Sequence, residues 1–218
     1  MNQGTVKKVY ETFWGQVHPE FRAAGVVARS HFDVKKEGTS KVKLDATCYL
    51  AGCRWKPKSN QPIDVLIRST EVYAIASEEM CGSTVRVSYL RKRGEDSEIL
   101  LPIHYDFDQA AGQDHPVFHA QLGSYKFEQQ ELDKVQFRGS IMPIGGEPYG
   151  NVRIPTACMN FGSTVLGITA DHFPSATFAK IIKILRASDL AKWNAQSPAL
   201  KARVATASFF PSHHWYPA

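Results

Sequence analysis

The residues best suited to chemistry sit in two short segments, HYDFD at 104–108 and DHPVFH at 114–119, which hold three of the eight histidines and three acids within sixteen residues. Read as strands, the first puts His104, Asp106 and Asp108 on one face and Tyr105 and Phe107 on the other. The second puts His115, Val117, His119 and Gln121 opposite Pro116, Phe118 and Ala120. A hairpin closed by QAAGQD that pairs 108 with 115 sets His104 against His119, about 5 Å apart between Cβ atoms, with Asp106 one diagonal step away. Such a set could ligate Zn, Mn or Fe through His104, Asp106, Asp108, His115 and His119, so a divalent metal ion is the one cofactor the sequence suggests. It could equally move protons, with His104, Asp106 and His119 as the catalytic group, because histidine titrates near neutrality and a neighbouring acid fixes its tautomer. A third reading is a solvated hairpin face whose cross-strand pairs contribute ~0.2 to 1 kcal/mol each. All three depend on register, since a slip of one residue turns His104 to the apolar side.

A second signal is basic. Lys35, Lys36, Lys41, Lys43, Arg54, Lys56 and Lys58 crowd one stretch with Tyr49 and Trp55 interleaved, and Arg91, Lys92 and Arg93 mark a hairpin tip. Phosphate backbones need such a patch, and an aromatic within it can stack on a base. Glu37, Asp45 and Asp64 interrupt the run, so a solvated strand face with loop lysines explains it equally well. Arg153, ahead of Ile154 and Pro155, sits in a rigid turn from which it can clamp a carboxylate or phosphate, or an acid of its own chain. No P-loop, dinucleotide fingerprint or GxSxG elbow occurs. Asp171-His172 and His213-His214 are further polar pairs, of which His172, near a helix start, reads as structural.

These groups need positioning elements. Val6, Val9, Tyr10, Phe13, Trp14 and Val17 recur at helical spacing over 5–17, and Pro19 is expected to open a second helix over 19–29. From residue 40 the period becomes two, with Val42, Leu44, Ala46, Cys48 and Leu50 on an apolar face. Strands are expected at 63–76, 84–92, 98–108, 116–127 and 133–142. Beyond the glycine-rich IGGEPYGN the character turns helical, with Ser175 capping 176–186 through Phe178, Ile181, Ile182 and Leu185, and Asp189 opening a further helix. The expectation is one α+β domain over 1–218: helical to 30, an antiparallel sheet of five or more strands over 40–142, mainly helical over 152–206, and an aromatic tail at 207–218 for docking.

A chain of 218 residues with 43% hydrophobic side chains can bury a core without metal or disulfides, so disorder is excluded and any metal serves function. A charge of +5 with pI ≈ 9.0 favours acidic partners. Neither a signal-peptide core nor an apolar run of about 20 residues is present, which implies a cytoplasmic protein that does not enter the membrane. Cys48, Cys53, Cys81 and Cys158 are too dispersed for a zinc ribbon and read as reduced thiols.

HYDFD, HPVFH and VRIPT with the amphipathic helix that follows resemble a bacterial family of uncharacterised proteins over about residues 98–188. The resemblance implies a bacterial accessory protein from a defence or toxin-related gene neighbourhood and carries over no catalytic role. The functional expectation is therefore a non-catalytic component contacting nucleic acid or a protein partner. The alternative is a metal-dependent nuclease or phosphodiesterase using His104, Asp106, His115 and His119.

Overall fold

The computed structural model describes residues 2–55, 61–108, 118–123, 127–142, 153–155 and 160–190, with the backbone alone at 108, 118, 119 and 153–155. It is α+β. Helix α1 (Gln3–Ala23) is followed by five long strands, β1 (Val27–Glu37), β2 (Lys41–Arg54), β3 (Pro62–Ala74), β4 (Met80–Arg93) and β5 (Asp96–Asp108). Then come β6 (Phe118–Leu122), α2 (Gln129–Lys134), β7 (Ile141–Met142), β8 (Arg153–Pro155), α3 (Phe161–His172) and α4 (Ser175–Ala187). The sheet order is β1-β2-β3-β4-β5-β6-β8, each neighbour antiparallel. The sheet as a whole is mixed, not antiparallel, because β7 joins β5 in parallel at Ser97 and Glu98.

Some expected elements differ, and others are described only in part. Pro19 lies inside α1 rather than opening a second helix. The carbonyl it leaves without an intrahelical donor is that of Gly15, on the exposed face, while Trp14, Val17 and Phe21 are buried and hold the helix down across the proline. The stretch from 27 is strand β1, because buried Ala28 and Phe32 alternate with polar residues too sparsely to read as a period of two. Over 133–142 only Ile141 and Met142 pair in the sheet. Its start closes α2, whose reciprocal capping box joins Glu128 and Glu131. The strand expected over 116–127 is described only as Phe118–Leu122, and the helix from Asp189 runs out of the described residues.

Each face of the sheet carries a core. On one, α1 and α3 press Tyr10, Trp14, Phe21 and Phe161 against Phe32, Leu44, Ile67 and Val85, with Phe32 and Phe161 edge to face at 5.4 Å. On the other, Leu132, Val135 and Phe137 cover Tyr49, Leu66, Leu90 and Ile99. Of the stripe expected on α4, Ile181 and Leu185 are buried and Phe178 and Ile182 half-buried. Glu71 of β3 is fully buried and accepts from Tyr10 Oη, Tyr73 Oη at 2.6 Å, Ser69 Oγ at 2.6 Å and the Phe161 N–H at 2.7 Å. A buried carboxylate is tolerated when its lone pairs are filled, and here the filling ties α1 and the start of α3 to the sheet.

Candidate nucleic-acid interface and the polar sheet face

Register sorts the polar residues into rows across the strands. His31, Thr47, Arg68, Arg86, His104, Gln121 and Arg153 are successive cross-strand partners from β1 to β8. Two residues along each strand, Asp33, Asp45, Thr70, Thr84, Asp106 and His119 form the next row. His104 therefore faces Gln121, and it is Asp106 that faces His119, a shift of two residues from the expected hairpin. Because strand side chains alternate with period two, a shift of two keeps His104, Asp106 and Gln121 on their expected face, where a shift of one would have inverted them. Phe107 is buried and Tyr105 packs on the α1-side core, as expected, and Phe118 is the register partner of Phe107.

His104 Nε2 lies 3.0 Å from Asp106 Oδ1, to which Thr84 Oγ1 donates at 2.8 Å, and all three residues are half-buried. Arg68 pairs with Glu131 of α2, and Thr70 donates to Asp45 at 2.7 Å. Among the described residues no group of three or more His, Cys, Asp or Glu is placed to hold a metal ion. His115 lies outside the described residues, as do the side chains of Asp108, His119 and Arg153. Cys48, Cys53 and Cys81 are free thiols, and burial pushes that of Cys53 up from 9.0 to about 12.

The basic stretch does not stay together. Lys41 and Arg54 stand at opposite ends of the fourteen-residue β2, roughly 40 Å apart along it. At one end Lys35 pairs with Asp33 at 2.8 Å and Lys43 with Asp45 at 3.7 Å. At the other, Trp55, next to Arg54, packs on Tyr89 of β4, whose last residues follow: Arg91 and Arg93 share Glu98 at 2.9 and 3.0 Å and Lys92 lies 4.7 Å over the Phe137 ring. Lys56 and Lys58, with Lys126, Lys192, Lys201 and Arg203, lie outside the described residues, against Asp114 and Glu147 among the acids, so most of the net +5 belongs there.

Trp55 leads to residues that periodicity did not select. Its ring meets Tyr89 of β4 at 90° and 6.0 Å and His172 of α3 at 6.4 Å, and Tyr89 and His172 are 5.3 Å apart. His172 Nδ1 is 2.7 Å from the Arg54 carbonyl oxygen. A carbonyl only accepts, so Nδ1 carries the proton and Nε2 presents a lone pair when the ring is neutral. Burial raises the Tyr89 and Tyr105 phenols above their usual range, and the Asp171 carboxylate acts on both. For His172 the sequence signal was the Asp171-His172 pair, found where a helix ends rather than where one starts.

Among the described residues no helix is long and apolar enough to cross a membrane. No protein-family model matches this chain, and no curated protein and no solved structure matches it either.

Proposed function

We propose that this chain is a non-catalytic binding component that holds single-stranded nucleic acid at the sheet end formed by the last residues of β2 and β4. One observation carries the reading: the Trp55 ring, next to Arg54 at the end of β2, packs on Tyr89 of β4, two residues before the Arg91–Arg93 tip, so a stacking ring and cations lie along one end of the sheet. Stacking on an aromatic contributes ~1 to 3 kcal/mol per base whatever the sequence, whereas each phosphate contact adds about −0.7 to the logarithmic salt slope of a single strand. Because Glu98 takes up both Arg91 and Arg93, the tip has little charge to spare, and stacking is the larger share.

Fluorescence anisotropy of labelled single strands over a salt series tests this. We expect binding with a shallow slope, roughly −1 to −2, that weakens about tenfold or more in Trp55→Ala with the slope unchanged. Absence of binding at low salt would end the reading.

The second reading, a metal-dependent phosphodiesterase, draws on the Thr84–Asp106–His104 hydrogen bonds and on His119 facing Asp106 in register. Its support is a stoichiometric transition metal in purified protein that is lost in Asp106→Asn.

A further inference from the structure

The rings of Trp55, Tyr89 and His172 form a cluster with more hydrogen-bonding capacity than it uses among the described residues, and Asp171, beside His172 at the end of α3, acts electrostatically on the phenols of Tyr89 and of Tyr105 farther along β5. Tyr89 and His172 are each 8% exposed, Trp55 and Tyr105 are half-buried, and Asp171 is exposed. Neither phenol oxygen nor His172 Nε2 has a hydrogen-bond partner among the described residues, and Asp171 makes no ion pair among them. Yet the imidazole is held firmly: Nδ1–H is fixed on the Arg54 carbonyl and the ring is flanked by Trp55 and Tyr89. A ring oriented this well with its second nitrogen unused is arranged to accept a proton donor from outside.

The balance of groups defines that donor. Asp171 and Nε2 accept only, the two phenols can donate or accept, and the C-terminal end of α3 adds a negative field. No cation of the described residues pairs with Asp171, and Trp55 supplies a stacking ring at the rim. We infer that this corner is a nucleobase site that selects a base offering adjacent N–H donors, guanine ahead of uracil or thymine. Guanine presents its N1–H and N2–H2 groups side by side to a carboxylate or imidazole, while its O6 accepts from a phenol. Uracil and thymine present two carbonyls around one N–H, which would set a carbonyl oxygen against Asp171. The inference rests on the nucleic-acid reading and gives that same edge its base preference.

The test uses the full chain and six-nucleotide single strands, RNA and DNA, that differ only in one central guanine against uracil or thymine. Tighter binding of the guanine strand by about tenfold is expected, in line with one bidentate base contact. In Asp171→Asn that preference falls to less than about threefold, with the salt slope unchanged, because the exposed carboxylate can be altered without opening the core. His172→Gln and Tyr89→Phe reduce it as well, with circular dichroism melting as the check that each variant folds. Equal affinity for the two strands overturns the inference and leaves the nucleic-acid reading standing. Failure to bind either strand overturns both. A guanine preference that survives both Asp171→Asn and His172→Gln in folded protein also overturns the inference, since the recognising groups would then lie elsewhere.

Discussion

At the scale of single residues, the strongest constraint is Glu71. Its carboxylate accepts from two phenols, a hydroxyl and a backbone N–H in a fully buried setting, so removing it takes one acceptor from all four, with the Tyr10–Tyr73 contact left to satisfy one phenol. Glu71→Ala should cost ~3 to 5 kcal/mol, read as a lower urea midpoint at unchanged slope. Tyr10→Phe should cost about 1 to 2 kcal/mol and combine non-additively with Tyr73→Phe, because the two phenols share one carboxylate oxygen and each other. The same burial sets an alkaline limit. The phenols of Tyr10 and Tyr49 and the thiols of Cys48 and Cys53 are held above their usual values, chiefly by desolvation, so the native chain keeps protons that the unfolded chain loses. Their stabilisation is whole below the unfolded thiol value near 9 and declines as pH rises through 9 to 12, where denaturant titrations should show the midpoint falling.

Among the elements, α1 and the β4–β5 hairpin make opposite uses of special residues. Pro19 breaks one hydrogen bond on the wet side of α1, so Pro19→Ala should stabilise by roughly 1 to 2 kcal/mol, the helix gain less the extra freedom of the unfolded chain. A neutral or destabilising result in a urea melt would mean that the proline sets the helix path. Gly139 is held at φ +87 with the place of its missing Cβ 1.9 Å from the Glu95 carbonyl oxygen. Ser140 N–H and Oγ then donate to Asp96 at 3.0 and 2.8 Å, bringing β7 alongside β5. Gly139→Ala should displace that segment and cost about 2 to 4 kcal/mol, with loss of protection at the β7 amides in hydrogen exchange.

Across the whole molecule, a single curled sheet separates two jobs. The α1 side holds the larger core, is locked by Glu71 and carries Trp55, Tyr89 and His172. The other carries α2 and the rows of arginine, histidine and aspartate, which meet where Arg68 pairs with Glu131. Charge neutralises within these rows, as in Arg68 with Glu131 and Lys43 with Asp45, so the outer face does not act as a uniform basic plate. Replacing Arg54 and Lys92 by Ala together should weaken nucleic-acid binding, whereas replacing Lys41 and Lys43, at the far end of β2, should leave it within about twofold in the same anisotropy assay.

Alternation determined β2 and the sides to which residues 104–107 point, because a period of two is a local property written into every pair of neighbours, while β-branched and aromatic runs between turn signals marked β3 to β5. Helical spacing likewise placed the buried stripe of α1. Position along a partner strand was not in the sequence: faces survive a shift of two residues, so His104 against His119 and His104 against Gln121 were equally legible, and only the β5–β6 ladder chose the second. Pro19 misled because its local penalty is outweighed by the packing of Trp14, Val17 and Phe21, residues whose partners come from the sheet and from α3. The cluster of Trp55, Tyr89, Tyr105, Asp171 and His172 was invisible for the same reason. Its members come from the residue after β2, from β4 and β5, and from α3, more than a hundred residues on from Trp55, and no local pattern relates them until the sheet closes against the helix.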